Sequence, residues 1–260
     1  MRKNERQQRI VELLKNYGTL DVASLCRMFQ VSAITIRRDL YELQEQNLIV
    51  RSHGGAILPP DNGASERAYE LRLARRIPEK KAIAREALKL IQDGNRVFFD
   101  SSTTVYALAK MIESSQHFSV VTDTLPTAME LNYREHVQVI CLGGELKKST
   151  GSCVGMFAEQ VLSCMYFDTA FIGLPSISPE GIMTVSSDTE LEIKKMVISR
   201  SDQLVILADS SKLRRPDFFM LGDIEQADIL ITDSGMPESF MKLCRDRGTK
   251  VIVASCESAE

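Results

Sequence analysis

The chain has 260 residues and a formal net charge of −3, with 44% apolar and 6% aromatic side chains. That length accommodates two domains, and that balance suits a soluble α/β protein rather than a disordered or membrane-embedded one. No run of about 18 apolar residues occurs, and the opening MRKNERQQRI lacks the apolar core of a signal peptide, so a cytoplasmic protein with no membrane partner is expected.

Residues 1–60 hold nine Lys/Arg against six Asp/Glu, whereas residues 61–260 hold 23 against 29. A basic head on an acidic body is the balance of a nucleic-acid-binding module beside a separate domain. In the head, Ile10, Leu13, Leu14 and Tyr17 fall at helical spacing, and Gly18 ends the run. Asp21 is placed to cap a second helix, in which Val22, Leu25, Cys26 and Phe29 repeat that spacing. A tight turn at QVS follows, and Ser32 is placed to cap a third helix whose buried stripe is Ile36, Leu40 and Leu43. At about 100° per residue that stripe turns Ser32, Ile34, Thr35, Arg37 and Arg38 outward. Small hydroxyls, an apolar tip and two guanidiniums are what a helix reading base edges and phosphates in a major groove needs. The stretch NLIVRSHGGAIL then alternates and turns at Gly54-Gly55 like a β-wing, which sets Arg51 and His53 beside the duplex.

VSAITIRRDLYELQEQNLIVRSHGGAI resembles the N-terminal winged helix of the DeoR family of bacterial transcription regulators, with its S-x-x-T-I-R-R-D-L followed by R-x-H-G-G-A. Ala33 and Ile34 occupy the pair that this motif leaves open, and are expected to tune sequence preference. Asp39 is read as structural, because its charge would repel phosphate.

PPDNGAS (residues 59–65) reads as a break, so the expected domains are 1–58, a connector over 59–75, and 76–260. A helix is expected from Glu66, interrupted at Pro78 and resumed to Gly94 with Ile83, Ala87, Leu90 and Ile91 on one face. Seven apolar runs follow, at 96–100, 118–122, 137–142, 168–173, 203–208, 228–232 and 249–254, most of them separated by enough chain for a crossover helix. This predicts an α/β body with a mainly parallel sheet, whose ligands sit beyond the carboxyl ends of the strands. Those ends carry Asp100, Ser101, Ser102, Thr103 and Thr104; Asp123 and Thr124; Gly143 and Gly144 with Lys147 beyond; Gly173; and Asp209 with Lys212. Hydroxyls, free N–H groups and lysines suit a phosphate, and carboxylates suit carbon-borne hydroxyls, so a phosphorylated sugar is the expected ligand. Neither GxGxxG nor GxxxxGK[ST] occurs, the six cysteines form no C-x-x-C pair, and the three histidines are far apart, so no cofactor and no metal are expected.

The body also resembles the DeoR family, whose sensor is similar in fold to ribose-5-phosphate isomerase and the coenzyme A transferases. The residues that carry the likeness are the D-S-x-T-T loop (Asp100 to Thr104), the turn Thr122-Asp123-Thr124, LGGELKKSTGSCVG and ADSSK. The resemblance implies that the first loop holds the effector's phosphate and that the other loops surround its sugar. Three positions depart from the family pattern. Asp123 replaces an asparagine and would be an acceptor-only carboxylate, Lys147 stands where arginine is common, and Ser176 replaces a glycine.

The function so implied is a sequence-specific DNA-binding repressor of sugar-metabolism genes, controlled by a phosphorylated sugar. It is expected to bind its operator as a homodimer or homotetramer. The rival is a sugar-phosphate isomerase with a DNA-binding head, for which Glu190, Glu192, Lys194 and Lys195 would be the candidate groups. Read as a helix, TELEIKKMVI makes these four its solvated side, with Glu190 and Lys194 an i,i+4 pair. An RNA-binding regulator is disfavoured, since the head has no aromatic stacking platform.

Overall fold

A computed structural model describes residues 3–17, 19–45, 48–52, 55–57, 66–113, 117–147 and 150–256. The chain divides into two compact units between Arg75 and Arg76. The first unit contains α1 (Lys3–Tyr17), β1 (Thr19–Asp21), α2 (Val22–Phe29), α3 (Ala33–Glu45), β2 (Val50–Ser52), β3 (Gly55–Ile57) and α4 (Glu66–Ala74).

Both expected caps form. Asp21 accepts from the N–H of Ser24 at 2.8 Å, and Ser32 Oγ accepts from the N–H of Thr35 at 3.3 Å. Between α2 and α3, Gln30 turns the chain with a left-handed φ of 54°. Ile10, Leu14, Leu25, Ile36, Leu40 and Leu43 meet in one core, against which Leu71 of α4 also packs. The wing sheet has three strands, because β3 pairs antiparallel with both β2 and β1. Three residues are too few for β1 to show alternation in the sequence. Gly55 was expected in the turn but opens β3, opposite Ser52 and Asp21. A Cβ at Gly55 would lie 2.2 Å from the carbonyl oxygen of Leu20, so close strand approach is what requires glycine here. Gly18, His53, Gly54 and residues 58–65 lie outside the described residues.

Asp39 is buried and receives Arg6 Nε at 2.6 Å and Nη2 at 3.2 Å. Gln7 Nε2 adds a weaker contact at 3.5 Å. The helix that carries the outward arginines is thus clamped to α1 by a third arginine, from outside the motif.

The second unit begins with α5 (Ile77–Leu88), β4 (Arg96–Phe99), α6 (Thr103–Lys110), β5 (Phe118–Thr122), α7 (Leu125–Leu131) and β6 (Val137–Cys141). It continues through β7 (Glu145–Lys147), β8 (Ser152–Val154), α8 (Met156–Leu162), β9 (Phe167–Gly173), β10 (Ser176–Ile177), β11 (Ile182–Val185) and α9 (Asp188–Ile198). The last elements are β12 (Ser201–Leu207), β13 (Phe219–Asp223), β14 (Ile229–Asp233), α10 (Glu238–Asp246) and β15 (Lys250–Ala254). Pro78 starts a helix rather than interrupting one, since it occupies the first turn of α5, where its missing N–H costs nothing. The break falls just before it, where Arg76 takes a left-handed φ of 53°. The helix also stops at Leu88, short of Gly94, although Ile91 stays buried.

All seven expected runs join one sheet in the order β15-β14-β12-β9-β4-β5-β6, and every pairing in it is parallel. Alternate residues supply two cores. Phe98, Ala170, Ile172, Ile206 and Leu230 face one side with α8, α9 and α10. Val97, Phe99, Phe171, Leu207 and Ile231 face the other with α5 and α6. Two small antiparallel sheets, β7-β8 and β10-β11-β13, are additions that the sequence did not reveal. From β4 the chain steps outward through β5 and β6, then returns to β9 on the other side of β4 and steps outward through β12, β14 and β15. The order therefore reverses between β4 and β9, and the crevice of such a sheet opens at that point.

Removing one member of a buried ion pair leaves the other charge uncompensated. Asp39→Ala is expected to destabilise the first unit by about 3–5 kcal/mol in urea unfolding followed by circular dichroism. The double variant Arg6→Met/Asp39→Leu should recover most of that loss.

Candidate functional site

The first unit presents one face of α3 outward. Ile34 is 78% exposed, Ser32, Arg37 and Arg38 are exposed, and Ala33 and Thr35 are half-buried, while Ile36, Leu40 and Leu43 lie in the core. The Thr35 hydroxyl lies 3.0 Å from Ser32 Oγ, so both hydroxyls help to close the start of the helix. Arg38 Nε stands 3.5 Å from Glu42 Oε1 with most of its side chain in solvent. An exposed i,i+4 pair of this kind is worth a few tenths of a kcal/mol and yields readily to a stronger anion. Arg51 lies in β2 opposite Ala56; its side chain, and all of His53, lie outside the described residues.

In the second unit the reversal of strand order is built on Asp100, at the end of β4. Its Oδ1 accepts from the N–H of Ser102 at 3.0 Å. Its Oδ2 accepts from the N–H of Gly173 at 2.9 Å and from the ammonium of Lys194. Lys194 also donates to the carbonyl of Gly173 at 2.8 Å, and stands 3.5 Å from Glu190. Gly173 must be glycine because a Cβ there would sit 2.3 Å from Ser102 Cβ and Oγ. Ser102 caps α6 by accepting from the N–H of Val105 at 3.2 Å, and the first helical bond runs from the N–H of Tyr106 to the carbonyl of Ser102 at 3.0 Å. The N–H groups of Thr103 and Thr104 precede that bond, at the positive end of the helix dipole. The side chains of Ser101, Thr103 and Thr104 are buried around this turn.

Lys194 is the residue that sequence reasoning misplaced. It was assigned to a solvated face, yet it is 2% exposed and lies in step with Leu191 and Val197 on the buried side of α9. A lysine on the apolar stripe of a helix was the available signal. The i,i+4 pairing with Glu190 is present, and Glu192 and Lys195 are exposed as expected. Burial opposes the charge of Lys194, but the Asp100 carboxylate and then Glu190 outweigh it and hold the ammonium above its ordinary range.

Asp123, at the end of β5, is 5% exposed. Its backbone carbonyl accepts from the N–H of Cys153 at 2.6 Å, while its Oδ1 makes no hydrogen bond to any described residue. Burial pushes this carboxyl well above the usual carboxylate range, Asp100 pushes it further, and Lys194 only partly opposes them. Beside it, burial pushes the Cys141 thiol up to about 11.

The other sequence-derived positions are distributed around this centre. Lys147 Nζ donates to Ser187 Oγ at 2.9 Å, and Ser187 caps α9, which ties the β7-β8 hairpin to the helix that carries Lys194. Thr124 is buried, and its hydroxyl reaches the carbonyls of Thr150 and Gly151 at 3.4 and 3.5 Å, a tie within the scaffold. Gly143 and Gly144 are exposed where the chain turns into β7. Asp209 and Lys212 belong to a second cluster beyond β12. Asp209 is buried, accepts from the N–H of Ser211 at 3.0 Å and lies 4.0 Å from Arg76 Nε. Its neighbour Ser210 donates through N–H and Oγ to Asp233 at 2.5 and 2.9 Å, and Lys212 is half-buried. Arg76 and Asp233 in this cluster were not anticipated.

Two family models match the chain: a DeoR-like helix-turn-helix domain over residues 6–61 and a DeoR C-terminal sensor domain over residues 75–234. The chain is 36% identical over 253 residues to the HTH-type transcriptional repressor GlcR of Bacillus subtilis (strain 168), covering 97% of both chains. It is 33% identical over 246 residues to the glycerol-3-phosphate regulon repressor of Escherichia coli (strain K12), covering 95% of this chain and 97% of that one. Among solved structures it is similar to ribose 5-phosphate isomerase A of Methanocaldococcus jannaschii, at 18% identity and a TM-score of 0.39, over 52% of this chain and 53% of that one. A capped helix presenting two arginines, a parallel sheet with a polar knot where its strand order reverses, and the family-model and repressor matches over nearly its whole length identify the chain as a member of the DeoR family of transcriptional regulators.

Proposed function

We propose that this regulator is a repressor of sugar-metabolism genes. In this reading α3 enters the major groove of an operator, and a phosphorylated sugar bound at the carboxyl edge of the sheet sets the operator affinity. The observation that carries it is the separation of faces on α3: Ile34, Arg37 and Arg38 stand in solvent while Ile36, Leu40 and Leu43 are buried. Arg37, Arg38 and the wing serve phosphates and base edges, while Ala33, Ile34 and Thr35 meet the bases. Two or four copies read repeated half-sites in the cytoplasm.

For the effector, the start of α6 offers the N–H groups of Thr103 and Thr104 and the surrounding hydroxyls to the phosphate. The glycerol-3-phosphate regulon repressor, one of the relatives, carries a phosphate ester in its name, which fits this ligand class. The chain acts as a switch rather than a catalyst. Lys194 spends its protons on Asp100 and the Gly173 carbonyl, with Glu190 nearby, which suits a brace more than a group that must approach a reacting carbon.

The primary experiment is an equilibrium titration of the full chain against its own upstream DNA, with and without a panel of phosphorylated sugars. Specific binding shifted by one of them supports the whole reading, and specific binding indifferent to all of them removes the effector half. In the same assay Arg38→Ala is expected to weaken operator binding at least about fivefold at fixed salt, as loss of about 1–3 kcal/mol per reading contact implies; unchanged affinity would contradict the docking of α3. Thr103→Val/Thr104→Val is expected to keep operator affinity within about threefold and to abolish the response to the sugar phosphate, a coupling of about 1–3 kcal/mol. A surviving response would place the phosphate elsewhere.

A further inference from the structure

Among the described residues Lys194 supplies the one ammonium in direct contact with the Asp100 centre, and two carboxylates already claim it. Asp100 binds it directly and Glu190 lies 3.5 Å away. Asp100 is also already engaged, since its two oxygens take the N–H groups of Ser102 and Gly173 as well as Lys194. Asp123, buried beside this pair, would be a third negative charge against a single positive one. On the hairpin side its neighbours are the thiols of Cys141 and Cys153, and Lys147 of that hairpin is turned to Ser187. Desolvated charges of like sign exclude one another, and the group with the fewest partners is the one that keeps a proton. A protonated carboxyl is no longer an acceptor alone, because it carries one O–H donor beside an accepting oxygen. Oδ1 of Asp123 is buried and makes no hydrogen bond to any described residue. A buried polar atom without a partner is costly, and a ligand that supplies the partner recovers that cost on binding.

We propose that Asp123 is a specificity-determining residue of the effector site, a neutral carboxylic acid that exchanges hydrogen bonds with a carbon-borne hydroxyl or carbonyl oxygen of the sugar. This rests on the effector reading above and assigns Asp123 to the uncharged end of the ligand. A phosphate needs donors without nearby negative charge, and the start of α6 provides them. Sugar phosphates with an oxygen at the position that Asp123 meets are bound, and their deoxy counterparts are discriminated against. Binding also weakens in alkali, when Asp123 ionises against Asp100 and Glu190 and can no longer donate.

The test uses the full chain and the variants Asp123→Asn and Asp123→Ala, with circular dichroism as the check on folding. Calorimetric titrations with D-glucose 6-phosphate, D-fructose 6-phosphate, sn-glycerol 3-phosphate, 2-deoxy-D-glucose 6-phosphate and inorganic phosphate are run from pH 6 to pH 9. For whichever phosphate ester binds the parent protein, Asp123→Ala is expected to weaken binding at least tenfold. Asp123→Asn, which keeps a donor and an acceptor, should stay within about threefold at pH 7 and lose the alkaline decline. Equal affinities for parent and Asp123→Ala, or the same pH profile in parent and Asp123→Asn, would overturn the proposal while leaving the effector reading intact. If no ester binds the parent, the effector reading fails and the ligand contact fails with it.

The proton is tested separately, by thermal unfolding without any ligand. A folded-state pKa above the unfolded one means that the folded protein holds the extra proton, so stability falls as pH rises from the ordinary carboxylate range toward the folded value. The parent is therefore expected to lose ground to Asp123→Asn progressively as pH rises, and parallel curves would show that Asp123 is ionised.

Discussion

The body of this protein depends on one buried carboxylate. Asp100 joins the end of β4 to the end of β9 through Gly173, seats α9 through Lys194, and fixes the N–H of the residue that caps α6. Parallel strands cannot be joined by a tight turn, so the two directions of chain travel part at β4 and leave unpaired backbone polar groups at the gap. A carboxylate there accepts from both sides, and the lysine satisfies the remaining carbonyl. Asp100 and Lys194 are both nearly inaccessible to water, so each is tolerable only in the presence of the other. The geometry of the proposed effector site is thus set by an interaction that need not involve the effector.

The first unit solves a related problem with a different cation. Asp39 lies between two core positions on α3, and an open carboxylate there would repel the phosphates that the neighbouring arginines are proposed to meet. Arg6 removes that field with a two-point contact, for which a planar guanidinium is better suited than an ammonium. The outer face of α3 is then left with Arg37, Arg38, small hydroxyls and Ile34. In the body the requirement is different, because three acceptors and one cation must meet at a point, and the compact, three-proton ammonium of a lysine fits that role.

Much of this was legible in the sequence, for identifiable reasons. The seven main strands are unbroken apolar runs because they are buried on both faces, and such runs stand out at any register. The caps at Asp21 and Ser32 were legible because capping is local chemistry. What escaped notice is non-local. β1, β10 and β11 have two to four residues each and exist only because a partner strand lies beside them. Arg6 and Asp39 are 33 residues apart, and Asp100 and Lys194 are 94 apart, so neither pairing leaves a periodic trace. Lys194 was misread because a charged residue on a helix is usually solvated, although its alignment with Leu191 and Val197 pointed inward.

The distribution of charge constrains how an anionic effector can lie. A phosphate dianion placed against Glu190 or Asp100 would meet carboxylates whose shared ammonium, that of Lys194, is already engaged. The start of α6 has the opposite character, with N–H groups that precede the first helical bond and no carboxylate free to compete for them, since Asp100 is turned toward Ser102, Gly173 and Lys194. At the proposed effector site, a ligand with one charged and one uncharged polar end would therefore have one favourable orientation, phosphate toward α6 and hydroxyls toward Asp123. On the proposal for Asp123, that orientation would hold only while its carboxyl is neutral. An ionised Asp123 would extend the negative field toward the phosphate and would lose the proton that a sugar oxygen could accept. Replacing an amide by a carboxylic acid at this position keeps the shape of the side chain and makes its hydrogen-bonding pattern depend on a proton, which the amide does not.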